Sequence, residues 1–154
     1  MPALYEAADY QPLLLQKFEQ VRESLLAHWP MARIEHIGAS SLPGALSKGD
    51  LDVLMLVALK DLETVRLVLV DDGYTEKTGT LRTPMLCMLE AHDHAVQLVA
   101  AGSSHEHVFL TFRDRLRGDA TRVAQYNALK RQHAGASDDD YRAAKAGFIE
   151  QVLR

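Results

Sequence analysis

The residues best suited to chemistry lie between positions 37 and 55. Ile37-Gly38-Ala39-Ser40-Ser41 is followed, after eight intervening residues, by Asp50-Leu51-Asp52-Val53-Leu54-Met55. Two carboxylates at i and i+2 of an extended chain point to the same side, so Asp50 and Asp52 can share one divalent cation or a pair of cations. The Gly38–Ser41 loop brings unhindered backbone N–H groups and the hydroxyls of Ser40 and Ser41, a combination suited to phosphate oxygens. Lys48 either neutralises a phosphate or stays in water for solubility. Arg82, on a later strand, faces either the same cleft or solvent. Taken together, these are the parts of metal-assisted phosphoryl or nucleotidyl transfer.

The elements that must position these groups follow from hydrophobic spacing. Leu14, Phe18, Val21 and Leu25 form one helical stripe, with Pro12 near the helix start, Asp9 as its cap, and Trp29-Pro30 ending it. Arg33–Ile37 is strand-sized. Leu51–Ala58 is nearly all Val, Leu and Met, which predicts a central strand covered on both faces. A second helix carries Leu62, Val65 and Leu69 behind Asp61 and ends at Gly73. Strands are expected over 74–78, 81–90 and 94–101, with turns at Gly79-Thr80 and His92-Asp93. Three helices, over about 106–117, 119–133 and 138–153, finish the chain; in the last, Tyr141, Lys145, Phe148 and Val152 share one side and Ser137 or Asp138 caps the start. The pattern predicts an α+β fold, a mixed sheet flanked by helices with further helices at the C-terminus, and residues 1–154 read as one domain.

The chain has 154 residues, 47% hydrophobic and 25% charged, with a net charge of −4, values that argue against disorder and against a protein that coats nucleic acid. The charge is uneven: residues 112–133 carry a local +4 through Arg113, Arg115, Arg117, Arg122, Lys130 and Arg131 against Asp114 and Asp119. Such a segment either meets a phosphate-bearing substrate or forms a solvated helix face. The lone Cys87 sits in an apolar run and reads as a core residue in a reducing compartment. No membrane span is long enough, and residues 1–10 lack the charged and apolar regions of a secretory leader, so the cytoplasm is the expected location. His92 with His94 and His105 with His107 have spacing that suits zinc, but their turn and helix-start settings favour exposed histidines over ligands. Arg113 and Asp114 either pair within the helices or reach the cleft, and the structural role is favoured.

The glycine–serine loop followed by Lys48-Gly49-Asp50-Leu51-Asp52-Val53-Leu54 resembles the signature of the polymerase-β-like nucleotidyltransferase superfamily. A narrower resemblance, to the GrpB (UPF0157-like) family, rests on four ordered blocks: Glu35-His36-Ile37-Gly38-Ala39-Ser40-Ser41-Leu42-Pro43-Gly44, Phe112-Arg113-Asp114-Arg115-Leu116-Arg117, Tyr126-Asn127-Ala128-Leu129-Lys130 and Tyr141-Arg142-Ala143-Ala144-Lys145. The resemblance implies a nucleotidyltransferase fold with Gly38, Ser40 and Ser41 near a triphosphate and Asp50 and Asp52 as magnesium ligands. It implies transfer of a nucleotidyl group from a nucleoside triphosphate to a hydroxyl acceptor, helped by Lys48 and Arg82. Two departures stand out. Ala39 occupies the position where the loop serine is usual. Gln97, at the place of the superfamily's third carboxylate, is a neutral metal ligand at best. An alternative follows, a nucleotide- or phosphate-binding module that has lost its chemistry.

Overall fold

A computed structural model describes residues 3–154; Met1 and Pro2, the first two residues of the stretch read as lacking a leader, lie outside it. Helix α1 spans Ala7–His28, strand β1 Arg33–Ile37, and a single 3-10 turn Ala39–Ser41. Strand β2 (Asp52–Val57), helix α2 (Leu59–Asp71) and strands β3 (Thr75–Glu76), β4 (Leu86–Glu90) and β5 (Ala95–Ala100) follow, then helices α3 (Ser104–Arg117), α4 (Ala120–Gln132) and α5 (Asp138–Leu153). The sheet order is β1-β2-β5-β4-β3, with β2 and β5 parallel and the other neighbours antiparallel. This is the expected α+β mixed sheet. No helix among the described residues is long and apolar enough to cross a membrane.

The two faces of the sheet are divided by the alternation of side chains along each strand. One face carries Val53, Met55, Val57, Val96, Leu98, Cys87 and Leu89, which pack in one buried cluster with Phe18 and Leu25 of α1 and Leu62, Val65 and Leu69 of α2. Cys87 is fully buried there and its thiol is pushed up to about 11 by burial, as expected of a core residue. The other face carries Asp52, Leu54 and Leu56. In register with them are Ile37 and Glu35 on one side and Ala95 and Gln97 on the other. Phe109 and Leu110 of α3 cover its far end at Leu54, Leu56, Leu86 and Val99. Where β2 and β5 begin, Asp52 and Gln97 remain open to a cavity.

Several boundaries differ from the sequence reading. Helix α1 starts one turn earlier, with Glu6 preceding it and Pro12 inside it. Proline lacks an N–H, so this helix forgoes one early hydrogen bond, which is tolerated because Tyr10 and Leu14 on either side are anchored in the core. Asp61 lies in the first turn of α2, with Ala58 as the residue before the helix. The expected long strand over 81–90 is five residues, and 74–78 reduces to two, because Arg82 and the 77–85 segment pair with side chains and turns instead of a ladder. The three C-terminal helices lie close to their expected limits, and Ser137 caps α5 by accepting from the Asp140 N–H.

Candidate functional site

The site is assembled at one end of the sheet. β1 ends at Ile37, opposite Asp52, and Gly38 turns the chain sharply with φ +75°, a region that favours glycine. Its α-carbon faces Asp52 so closely that a β-carbon would stand 2.6 Å from Oδ2 and 3.1 Å from Asp52 Cβ. The backbone therefore lies directly on the carboxylate. From there the chain runs through the 3-10 turn to Ser47 and Lys48 and returns to β2. The ladder already includes Leu51, whose carbonyl accepts from the Ala95 N–H at 3.0 Å. Asp50 thus precedes β2, but it keeps the alternation and lines the same cavity as Asp52.

Helices hold this loop by its carbonyls. Tyr10 donates to the Ala45 carbonyl at 2.7 Å and Gln11 to Leu42 at 2.7 Å, both from α1. Arg117 of α3 donates to Ser41 at 2.9 Å. Asn127 of α4 accepts from the Leu46 N–H at 2.8 Å and donates to the Gly44 carbonyl at 2.9 Å. Lys130 donates to the Leu46 carbonyl at 2.5 Å, with its ammonium 4.0 Å from the centre of the Tyr126 ring. Leu42 and Ala45 enter the apolar cluster of Leu116, Val123, Tyr126 and Phe148. A surface loop pinned at this many points is pre-organised, which reduces the ordering entropy a ligand would otherwise have to overcome.

The cavity measures about 610 Å³, within the ordinary range for small-molecule sites. Asp52, Gln97, Met88 and Lys77 floor it, the Gly38–Ser41 turn and Lys48 form one side, and Phe109 and Phe112 of α3 another. Tyr141, Arg142 and Lys145 of α5 reach in from above, and Lys130 from α4. Burial pushes the Asp52 carboxyl above its usual range, opposed most by the Lys145 charge, while the neighbouring Asp50 adds to the rise. No hydrogen bond or salt bridge to a described residue satisfies Asp52. A desolvated carboxylate beside a second one suits a hard divalent cation with oxygen ligands. Among the described residues no group of three or more His, Cys, Asp or Glu side chains is placed to hold a metal. A cation at Asp50 and Asp52 would therefore draw its remaining ligands from Gln97, water or the substrate.

The residues singled out from sequence divide into those the cavity gathers and those it does not. Gly38, Ser41, Lys48, Asp50, Asp52 and Gln97 all line it. Lys48 is 3.4 Å from Asp50 and both side chains are largely exposed. Gln97 pairs with Leu54 and Met88, one step along the sheet from Asp52 and on the same face. Ser40 is not at the cavity: its hydroxyl is buried against His36 Nε2 at 2.8 Å, because a 3-10 turn sends consecutive side chains in different directions. The Ser41 hydroxyl donates to the Gly38 carbonyl at 2.6 Å. Arg82 lies away from the cavity, at the β3–β4 edge. Its guanidinium bonds Glu76 at 2.8 Å, the Leu86 carbonyl at 3.1 Å and the Thr83 carbonyl, and that ion pair fixes it outside the site. Asp93 is no third carboxylate: Lys17 at 2.5 Å and His94 at 2.7 Å occupy it and hold it down at about 2. Glu90 is paired with Lys77 at 3.2 Å.

One histidine of each pair is held by local bonds, His94 to Asp93 and the Tyr74 hydroxyl, and His105 to Thr83. Arg113 is buried and bonds Glu35 at 2.7 Å, Asp114 at 2.9 Å and the His36 carbonyl at 3.2 Å, the structural bonds favoured for it, and it also lines the cavity. Sequence reasoning missed the α5 cations Arg142 and Lys145, whereas Lys130 belongs to the basic 112–133 segment for which a phosphate-bearing substrate is one of two readings. A signal was present, since Lys145 falls in the apolar stripe of Tyr141, Phe148 and Val152, where a solvated lysine has no reason to be. Among the described residues neither Arg142 nor Lys145 forms an ion pair, and Lys130, 4% exposed, has its amine pushed down to about 7 by burial and by the Lys145 charge.

A mixed sheet with a glycine turn set on an acid at the head of its second strand is a nucleotidyltransferase-like fold. The chain belongs to the GrpB family, described as "GrpB protein", which matches it over residues 5–154. A UPF0157 protein of Vibrio cholerae is 46% identical over 152 residues, covering 97% of this chain and 80% of that protein. A UPF0157 protein of Deinococcus radiodurans is 30% identical over 142 residues, covering 90% and 74%. Among solved structures, the conserved protein GrpB from Enterococcus faecalis superposes with a TM-score of 0.81 at 25% identity, over 98% of this chain and 94% of that one. Cid1, an RNA terminal uridylyl transferase, matches 80% of this chain with a TM-score of 0.56 at 14% identity, a likeness of fold. The MgGTP-bound Cid1 poly(U) polymerase gives 0.53 at 17%. This chain spans only about 40% of the Cid1 chain.

Proposed function

We propose that the protein is a metal-dependent nucleotidyltransferase of the cytoplasm, moving a nucleotidyl group from a nucleoside triphosphate to a hydroxyl acceptor. The observation that supports this reading is the packing of Gly38 on Asp52, which brings the backbone of the turn and the carboxylate that would hold the metal within a few ångströms of each other. Magnesium held by Asp50 and Asp52 would supply Lewis-acid polarisation of the phosphoryl oxygens. The protein's own part is placement and charge. The Gly38–Ser41 turn admits the phosphates close to the backbone, and Lys48 faces them from the loop. Lys130, Arg142 and Lys145 receive the charge that grows on the departing pyrophosphate as the acceptor oxygen bonds to the α-phosphorus. MgATP and other nucleoside triphosphates are tested by thermal shift with and without magnesium, followed by assay of pyrophosphate release. Magnesium-dependent stabilisation and release are expected in the native protein, and neither in Asp52→Asn. Full release by that variant would defeat the assignment.

A second reading rests on Gln97. A neutral amide where a third carboxylate is usual leaves Asp50 and Asp52 without that partner on the neighbouring strand, which supports a catalytically impaired module that binds a nucleotide or another phosphate ligand in the same cavity. Stabilisation by nucleotide without pyrophosphate release would favour it.

A further inference from the structure

Asp52 is a half-buried carboxylate that lines the cavity with no hydrogen-bond or salt-bridge partner among the described residues, and a partly desolvated charge draws compensation from its surroundings. Six cations line the same cavity: Lys48, Lys77, Arg113, Lys130, Arg142 and Lys145. Four are otherwise engaged. Lys48 is with Asp50, Lys77 with Glu90, Arg113 with Glu35 and Asp114, and Lys130 with the Leu46 carbonyl. Arg142, like Lys145, forms no ion pair among the described residues, but its charge is not among those that act on Asp52. Lys145 has no ion pair among the described residues, it lines the cavity from α5, and its charge acts on both Asp52 and Lys130. It thus shares the cavity with the acid that would hold a cation and the amine that would meet a phosphate.

We infer that Lys145 is a positioning residue with two opposed effects: it competes with a divalent cation for Asp52, and it receives the phosphate charge that a nucleotide brings. This rests on the proposed metal and nucleotide site and adds an order to it. A bare cation entering beside Asp52 meets the repulsion of the Lys145 ammonium in the same partly desolvated cavity, which weakens its binding. A cation that arrives with polyphosphate brings the anion Lys145 needs, and the repulsion becomes an attraction. Metal and nucleotide then bind as a unit, and each raises the affinity of the other by the same factor.

The two effects have opposite signs, which a purely structural lysine would not produce. Mn2+ alone is titrated into the native protein, Lys145→Gln and Lys145→Arg, with free Mn2+ followed by its electron paramagnetic resonance signal. A non-hydrolysable ATP analogue is then titrated in saturating Mg2+. Lys145→Gln is expected to bind Mn2+ about fivefold more tightly and the analogue about fivefold more weakly, while Lys145→Arg stays near native in both. Lys145→Met serves as a second neutral variant should the glutamine form fold poorly. Equal-sign shifts, or unchanged Mn2+ affinity in both neutral variants, would overturn the inference. Asp52→Asn separates it from the reading beneath: if that variant binds Mn2+ as the native protein does, the metal site itself is wrong, and the role of Lys145 falls with it.

Discussion

His36 Nε2 and Ser40 Oγ lie 2.8 Å apart in the interior, directly beneath the turn that carries the site. The His36 ring also stacks on Phe18, with centroids 4.8 Å apart. Burial and then the charges of Arg117 and Arg113 push the imidazole down to about 4, so the ring is neutral in the folded protein. An unfolded chain takes up a proton near 6.5. Stability from this group is therefore complete above 6.5 and is lost as pH falls toward 4, by about 3 kcal/mol in all. Denaturant midpoints measured from pH 7.5 to 4.5 should fall steeply in the native protein and less so in His36→Gln.

Gly38→Ala should lower stability by about 3 kcal/mol, since alanine is strained at φ +75° and its methyl would collide with Asp52 Oδ2. Adding Asp52→Ala should restore part of the loss by removing the oxygen while leaving the backbone strain. Urea denaturation of the two variants tests this. A neutral Gly38→Ala would show that the turn is not packed on the acid.

Asp52→Asn should stabilise the fold while abolishing magnesium-dependent nucleotide effects. The raised carboxyl contributes stability only when protonated, so its penalty is present at neutral pH and disappears as pH falls below the unfolded carboxylate range. The variant is expected to be more stable than the native protein at pH 7 and to lose that advantage as the pH falls through the carboxylate range. Equal stability at pH 7 would count against a desolvated Asp52.

Arg113→Met should be destabilising by about 3 kcal/mol, because it strands Glu35 beside a buried carbonyl that loses its donor. Thermal denaturation reads the effect directly. Lysine at this position should rescue little, since one ammonium cannot reach Glu35, Asp114 and the His36 carbonyl together.

Arg82→Gln should leave nucleotide-dependent thermal shifts unchanged, because the guanidinium is tied to Glu76 at the opposite sheet edge. A loss of nucleotide response in that variant would return Arg82 to the site.

Much of the fold was legible from spacing. The α1 stripe at Leu14, Phe18 and Leu25, the unbroken apolar run of β2 and the three terminal helices all follow from one-dimensional periodicity, because burial of one face is imposed residue by residue. The strands at 74–90 were overread. Apolar residues such as Leu81 and Met85 are exposed there, and the segment gains its hydrogen bonds from local turns. Within the site, the Gly38 turn and Asp52 were readable because both are neighbours in one strand–turn–strand unit. Ser40 was misassigned because a single 3-10 turn decides whether a hydroxyl faces the cavity or the core, and small residues leave no hydrophobic signal of that choice.

By itself, the sequence determined the class of the protein: an acid-apolar-acid strand behind a glycine turn, with helices to cover it. Tertiary structure alone decided which charges share the cavity. Lys130 and Lys145 come from helices more than seventy-five residues beyond Asp52 and converge on it, whereas Arg82, nearer in the chain, turns away to Glu76. Electrostatic partnership depends on distance through space and on burial, and neither is written in the order of residues until packing brings the helices over the sheet.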